Sequence, residues 1–166
     1  MKYVVTMRKA ILLDTSFFLR FLNESDSLFK NADGYYKYLI QEKYDLVIST
    51  ISIAEYCSGG DISELPLRNL QILPFNLSHG KRTGEFAKVA YQSRRDKALA
   101  LKERLLIPND TKLFAQADSE DYIQYYLSSD SESKKVYDVL NASLRLSFKF
   151  LDLNLKHTQT FQLLDL

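Results

Sequence analysis

Short apolar runs alternate with segments of helical periodicity, and this alternation constrains the fold more than any other feature of the sequence. Five runs predict β-strands, over Ala10 to Asp14, Asp45 to Ser49, Leu70 to Phe75, Ile123 to Ser128 and Phe148 to Leu153. Apolar residues three and four positions apart predict helices over Phe17 to Leu22, Tyr35 to Gln41, Ile53 to Cys57, Phe86 to Leu106 and Lys112 to Ala117. Because parallel strands need helical crossovers, the alternation predicts an α/β fold with a mostly parallel sheet.

The size and composition favour one folded unit. The chain has 166 residues, of which 46% are hydrophobic and 26% charged. A chain of this length buries enough surface to fold without disulfides or a structural metal, so we expect a single domain over residues 1–166. The net charge of +1 excludes a histone-like polycation. The only cysteine, Cys57, excludes an internal disulfide and a cysteine-rich zinc site, and we expect it to pack as a small apolar side chain.

The N-terminal segment is basic and then apolar, but it does not predict a membrane anchor. Asp14 and Arg20 interrupt the apolar run well before the ~20 residues that a membrane span needs. No small-residue cleavage site follows it. We therefore expect a cytoplasmic protein that makes no membrane contact.

Acidic residues stand where predicted strands give way to predicted helices. Asp14 closes the first strand, and Glu55 lies in the first turn after the second. Asp110 opens a later helix, and Asp130 follows the strand that ends at Ser128. In a parallel sheet such junctions share the carboxyl edge, where α/β folds bind their ligands. We therefore expect the four carboxylates to converge.

Converging carboxylates repel one another unless a cation lies among them. Two unit charges about 4 Å apart repel by about 4 kcal/mol at an effective dielectric constant of about 20. No histidine or cysteine accompanies these acids, and a set of oxygen ligands selects a hard cation, Mg²⁺ or Mn²⁺. Mg²⁺ held by a few carboxylates takes phosphate oxygens as further ligands, which predicts a phosphate ester as the substrate.

The four acidic segments, taken in order, resemble the four motifs of the PIN (PilT N-terminus) domain family. The matching segments are ILLDTSFFLRFL, ISTISIAEY, IPNDTKLFAQA and LSSDS. The resemblance implies a three-layer α-β-α fold with a mostly parallel five-stranded sheet in the order 3-2-1-4-5. It also implies a nuclease whose catalytic, Mg²⁺- or Mn²⁺-binding residues are Asp14, Glu55, Asp110 and Asp130, with a water activated by the metal attacking a phosphodiester of RNA.

The same resemblance implies partners beyond the RNA substrate. Similar bacterial toxins belong to toxin–antitoxin pairs, so a small antitoxin protein is an expected partner, and the family favours a homodimer. Thr15 and Ser16 fit an outer-shell role beside the first carboxylate. They fit the capped start of a helix equally well.

Each acid taken alone also has a purely structural interpretation. Ser52 and Glu55 fit a capping box, and Asp110 and Asp130 fit helix N-caps. Asp14 fits this interpretation less well, because an apolar residue would be expected at the end of an apolar strand. The alternative function is a catalytically silent PIN-like module that binds RNA or a protein.

Basic residues concentrate between Gly80 and Arg104. Lys88, Arg95 and Lys102 recur every seven residues, which places them on one face of a continuous helix. Together with Arg94 they predict a surface that neutralises RNA phosphates. A solvated helix face is the alternative interpretation.

The remaining polar residues predict structural roles. His79 and His157 stand in polar, loop-like surroundings far from the acidic motifs, so we assign neither a catalytic role. The polar segment from Ser128 to Ser133 predicts a loop.

Overall fold

Strands and helices alternate over residues 7–93 and 107–163, which are the residues that the computed structural model describes. The elements are β1 (Ala10–Leu13), α1 (Thr15–Phe21), α2 (Phe29–Gln41), β2 (Asp45–Ser49), α3 (Thr50–Tyr56), β3 (Gln71–Leu73), α4 (Leu77–Ser93), α5 (Asn109–Ser119), β4 (Ile123–Ser128), α6 (Ser131–Leu144), β5 (Lys149–Asp152) and α7 (His157–Thr160). Two short 3-10 helices, Ile62–Glu64 and Leu67–Asn69, lie between α3 and β3.

The five strands form one sheet in the order β3-β2-β1-β4-β5, and every neighbouring pair is parallel. In the central strand, Leu13 lies opposite Ile48 on β2 and Leu127 on β4. The predicted α/β fold and its strand order 3-2-1-4-5 are therefore confirmed. The chain crosses back over the sheet between parallel strands, so the carboxyl ends of all five strands meet at one edge.

Side chains of β1 alternate between the two faces of the sheet and so contribute to two cores. Ala10 and Leu12 pack into a cluster with side chains of α4, α5 and α6. Ile11 and Leu13 pack into a second cluster with side chains of α1, α2 and α3. All four residues are fully buried. The sheet is thus the middle of the three layers that the sequence predicts.

All five predicted helices begin earlier than their apolar periodicity predicts, α2 and α4 by the most. Helix α2 begins at Phe29 rather than Tyr35, and α4 begins at Leu77 rather than Phe86. The segments added at these two starts contain glycine and polar residues without apolar periodicity, so packing rather than intrinsic propensity maintains them. The predicted extension of α4 towards Leu106 lies outside the described residues.

The prediction of a loop from Ser128 to Ser133 is wrong, because α6 begins at Ser131. The Asp130 carboxylate caps this helix and accepts hydrogen bonds from the backbone N–H groups of Glu132 (2.8 Å) and Ser133 (3.4 Å). A run of serines disfavours the middle of a helix but is well tolerated after such a cap.

His79 is not in loop-like surroundings but is fully buried in the first turn of α4. Its Nδ1 accepts a hydrogen bond from the backbone N–H of Asn76 (3.1 Å). Its Nε2 lies 2.8 Å from Oε1 of Glu120, at the end of α5, and carries the proton because Nδ1 is an acceptor. The histidine therefore joins α4 to α5.

Two smaller observations complete the description of the fold. Cys57 is exposed, so the expectation that it packs as an apolar residue is wrong. It follows the last turn of α3, where the helix end turns towards solvent. Over residues 7–93 and 107–163, no helix is long and apolar enough to cross a membrane.

Replacement of Phe114 by alanine tests the core on the α5 side of the sheet. Phe114 is fully buried, and its ring lies 4.9 Å from that of Tyr126 and 5.8 Å from that of Phe148. We expect Phe114→Ala to lower the free energy of unfolding by about 3–5 kcal/mol in urea titrations, because the cavity collapses only in part. Phe75→Ala is the control, since Phe75 is 37% exposed and should cost far less. Equal losses for the two variants would contradict this description of the core.

Candidate metal centre

The four predicted acids line one cavity of about 440 Å³. Its lining consists of Asp14, Thr15, Ser16, Leu19, Glu55, Pro108, Asn109, Asp110, Leu113, Asp130 and Ser133. The predicted outer-shell residues Thr15 and Ser16 are therefore at the same place as the acids. Residues from distant parts of the chain come together here, as expected from their position at one edge of the sheet.

The topology explains how each acid reaches the cavity. Asp14 and Asp130 follow β1 and β4, which are neighbours in the sheet. The sequence predicts Glu55 in the first turn after β2, but in the structure Glu55 lies in the last turn of α3. Asp110 does not follow a strand; it lies in the first turn of α5, which leads into β4. A helix that leads into a parallel strand begins near the carboxyl edge, so Asp110 meets the others there.

The Asp14 carboxylate is only 8% exposed and caps α1, where it accepts the backbone N–H of Ser16 (3.4 Å), so the expectation that Asp14 fits the helix-cap interpretation less well is wrong. Hydroxyl groups hold it as well. Its Oδ2 accepts hydrogen bonds from Ser16 Oγ (2.7 Å) and Ser128 Oγ (2.8 Å). Both serines in turn accept backbone N–H groups, from Ser129 and Asp130 respectively. The two hydroxyls also lie 3.2 Å from each other, but the carboxylate oxygen is closer to both and charged, so both hydroxyl protons are directed to Asp14. The network joins the first acidic motif to the fourth.

Glu55 is held by neutral donors on both carboxylate oxygens. Thr15 Oγ1 donates to Oε2 (2.5 Å), and Asn109 Nδ2 donates to Oε1 (2.5 Å). Lys112 Nζ donates to Oδ1 of the same asparagine (3.1 Å), so Lys112 is linked to Glu55 by way of the asparagine side chain and forms no ion pair with it. The capping box predicted for Ser52 and Glu55 does not form, because the last residue of β2 caps α3 instead. Ser52 Oγ is buried and has no hydrogen-bond partner among the described residues.

Asp110 and Asp130 differ in how far the helix-cap interpretation explains them. The residue at the cap of α5 is Pro108, not Asp110. Asp110 instead accepts hydrogen bonds from its neighbour's N–H and from Ser133 Oγ on α6 (3.1 Å). For Asp130 the cap interpretation is confirmed, and this residue is exposed. Its cap bonds use Oδ1, and no described hydrogen bond engages Oδ2.

No lysine or arginine in residues 7–93 and 107–163 forms an ion pair with any of the four acids. The described ion pairs lie elsewhere, for example between Arg82 and Asp118 (2.8 Å). The donors around the acids are hydroxyls, amides and backbone N–H groups. Their dipoles orient the carboxylates but leave the summed negative charge in place.

Tyr126 lies close to the acids, and the pKa of its hydroxyl reflects their convergence. It is fully buried on β4, and its hydroxyl has no partner in hydrogen-bonding geometry. Burial raises the pKa of this hydroxyl well above its usual value. The Asp14 carboxylate raises that pKa further, both by its negative charge and because the hydroxyl approaches it as a donor, and the charges of Asp110 and Glu55 add to the effect. Three acids from separate segments therefore act on one buried atom.

The donor set fits a hard divalent cation in its chemistry. Carboxylate and hydroxyl oxygens are the ligands that Mg²⁺ and Mn²⁺ select, and no histidine or cysteine lines the cavity. Among the described residues, however, no three acidic, histidine or cysteine side chains are already arranged to hold an ion. Binding would therefore require the carboxylates to approach one another, and Glu55, both of whose oxygens accept hydrogen bonds, is the acid whose position would change.

Only one of the four predicted RNA-binding residues lies within the described part of the chain. Lys88 is exposed on α4 and does not line the cavity of the four acids. The other three, Arg94, Arg95 and Lys102, lie outside the described residues. Their role in RNA binding stays a prediction.

Four contributors to the site were not assigned a role from the sequence. Ser128 and Asn109 were visible as neighbours of predicted acids, and Ser133 follows the Asp130 cap by one helical turn. Tyr126 carried a weaker signal, a polar atom within a strand whose neighbours are apolar. In each case the contact joins residues that are distant in the chain.

The fold is that of known toxin structures. FitAcB from Neisseria gonorrhoeae matches with a TM-score of 0.59 at 18% identity, covering 86% of this chain and 97% of that chain. VapBC2 from Rickettsia felis, solved with a DNA fragment from their promoter, matches with a TM-score of 0.58 at 18% identity, covering 86% and 99%. VapC20 from Mycobacterium tuberculosis, described as a toxin that cleaves the sarcin-ricin loop, matches with a TM-score of 0.50 at 18% identity, covering 76% and 94%.

These similarities identify the fold as that of the PIN domain, as the acidic motifs predict. No protein-family model matches the sequence, and no curated protein matches it. The shared fold leaves the chemistry to be argued from the residues of the cavity.

Two buried tyrosines give a matched test of the site's electrostatics. Tyr137 donates a hydrogen bond to the carbonyl of Phe148 (3.0 Å), whereas the Tyr126 hydroxyl approaches Asp14 but meets full hydrogen-bond geometry with no described residue. We expect Tyr137→Phe to lower the free energy of unfolding by about 1 kcal/mol, and Tyr126→Phe to lower it by less. Urea titrations at neutral pH measure both. A loss for Tyr126→Phe as large as that for Tyr137→Phe would contradict the absence of a full hydrogen bond from the Tyr126 hydroxyl.

Proposed function

We propose that this chain is a metal-dependent endoribonuclease that hydrolyses phosphodiester bonds of RNA with Mg²⁺ or Mn²⁺. One observation carries the proposal: four acids from distant segments line one cavity, and no described cationic side chain neutralises them. Such an arrangement is unfavourable by itself and becomes favourable when a divalent cation binds. The shared fold with a toxin described as cleaving the sarcin-ricin loop supports RNA as the substrate.

The chain's own residues would position the reaction. Asp14, Glu55 and Asp110 would hold the cation, with Asp130 completing the set or holding a second one. When bound, the cation supplies charge stabilisation and an activated water for attack on phosphorus. Ser16 and Ser128 keep the Asp14 carboxylate oriented, because their protons are already committed to it. No side chain needs to act as a nucleophile.

We also propose that the chain is the toxin of a toxin–antitoxin pair and acts in the cytoplasm. The structural neighbours include VapBC and FitAcB complexes of toxin and antitoxin, which supports a small antitoxin protein as a partner. A homodimer remains part of the proposal on the resemblance of the motifs alone.

The second candidate is a catalytically silent PIN-like module that binds RNA or a protein. Two observations favour it: both oxygens of Glu55 already accept hydrogen bonds, and Asp130 already caps α6. A site in this state could keep its hydrogen bonds and take no cation. Metal binding separates the two candidates more directly than activity does.

Replacement of Asp14 by asparagine tests the proposed chemistry. A bound cation supplies several kcal/mol of charge stabilisation, so Asp14→Asn should lower Mn²⁺-dependent cleavage of a labelled RNA by at least about 100-fold. The melting temperature should stay the same or rise, because asparagine can still accept from the serines and one repelling charge is gone. Asp121→Asn, which removes an exposed acid that does not line the cavity, is the matched control and should cleave normally. Undiminished cleavage by Asp14→Asn would refute the mechanism.

Calorimetric titration with Mn²⁺ distinguishes the enzyme from the silent module. The enzyme should bind Mn²⁺ at millimolar or lower concentration, and Glu55→Gln should weaken binding by at least about 10-fold because it removes a carboxylate from the donor set. Glutamine keeps the side chain's size and can still accept from Thr15 or Asn109, so the fold should persist. The absence of Mn²⁺ binding by the unsubstituted protein would favour the silent module.

A further inference from the structure

A second cavity, of about 220 Å³, has the opposite charge to the first. Its lining consists of Lys30, Asn31, Lys156, His157 and Thr158. Lys30 and Asn31 belong to α2, and the other three lie at the start of α7. The cavity therefore forms where two helices from opposite ends of the chain meet.

Hydrogen bonds place this basic cavity beside the acidic one. Asn154 Nδ2 donates to the carbonyl of Ser129 (3.2 Å), next to the Asp130 cap. On its other side, the Asn31 amide donates to the carbonyls of Leu153 (3.0 Å) and Asn154 (3.3 Å). Because Ser129 follows β4 and Asn154 follows β5, both cavities lie at the carboxyl edge, side by side.

The two lysines of this cavity are not neutralised. Within residues 7–93 and 107–163, no acidic side chain forms an ion pair with Lys30 or Lys156. Three other lysines of the described chain do form ion pairs, as Lys37 does with Asp33 (2.6 Å), and the remainder, like Lys30 and Lys156, do not. Like charges that share a cavity repel, and an anion between them removes that repulsion.

The other residues of the basic cavity are held in place and offer a polar atom. The His157 ring packs so closely on α2 that a Cβ added at Gly34 would lie 2.7 Å from its Nδ1. The ring also lies 5.5 Å from that of Tyr38. Thr158 Oγ1 is buried and has no hydrogen-bond partner among the described residues. Lys30 and Lys156 are exposed, and two ammonium groups at the mouth of the cavity suit the oxygens of a phosphate group.

We propose that the basic cavity binds a backbone phosphate of the RNA strand whose scissile bond lies in the acidic cavity. The inference rests on the proposed function, because it takes RNA as the ligand. It also answers a difficulty of that function: carboxylates repel a polyanion, so a strand needs positive charge beside them to remain at the site. The two lysines supply that charge at the same edge of the sheet.

The test measures RNA binding in EDTA, where the proposed cleavage cannot occur. A short, fluorescein-labelled single-stranded RNA is titrated with the full chain, and anisotropy gives the Kd at several salt concentrations. We expect the double variant Lys30→Gln, Lys156→Gln to bind about 3- to 10-fold more weakly at low salt, and the slope of log Kd against log salt to fall by about 1. Lys149→Gln is the single-site control; this exposed lysine begins β5 at the opposite edge, and its loss should leave the slope unchanged.

The outcomes separate this inference from the proposed function. Unchanged affinity and slope in the double variant, with cleavage by the unsubstituted protein intact, would overturn the phosphate site alone. Loss of RNA binding in the double variant, with no cleavage by the unsubstituted protein, would support the site and refute the nuclease. If inorganic phosphate raises the melting temperature of the unsubstituted protein but not of the double variant, while RNA binds both equally, the cavity takes a small free anion and the RNA assignment fails.

Discussion

The repulsion among carboxylates gathered at one edge of the sheet is the constraint on which the rest of this structure depends. A protein can relieve such repulsion with cationic side chains, with protons or with a bound ion. In the described residues this chain uses neutral donors: two serines for Asp14, and a threonine and an asparagine for Glu55. Neutral donors fix orientation without cancelling charge, so the edge keeps its attraction for a cation.

The neutral donors also determine which carboxylate would rearrange when a cation binds in the acidic cavity. Each carboxylate oxygen has two lone pairs, so a donor already in place does not by itself prevent metal binding. For Asp14 the donors converge on Oδ2 and leave Oδ1 outside the serine network. For Glu55 they engage both oxygens. Asp14 is therefore the better prepared ligand, and Glu55 is the residue whose rearrangement would accompany metal binding.

The strands and the acids that follow them could be predicted from the sequence because both depend on local pattern. Strand β1 is buried on both faces, so it appears as a continuous apolar run, and a charge at its end stands out. Helix α6 was not among the helices that periodicity predicts, because its first turn alternates serines with charged residues and depends on the Asp130 cap. The contact between Ser16 and Ser128 joins residues 112 positions apart, and no local periodicity contains that information. The same is true of the contact between Asn109 and Glu55.

The opposite charges of the two cavities also give a reason for the way in which the C-terminal helix is attached. Tyr35 of α2 shares a hydrogen bond with Thr160 of α7 (2.5 Å) and donates to the carbonyl of Asp152 (3.3 Å), and Tyr38 stacks on Phe161 with ring centroids 4.5 Å apart. A helix of four residues has little stability of its own, so these contacts to α2 must hold it. They place Lys156 opposite α2 and next to the residues that follow β5. The aromatic packing on the α2 face thus maintains positive charge at the same edge of the sheet that gathers the carboxylates, and a polyanionic strand lying along that edge would meet both.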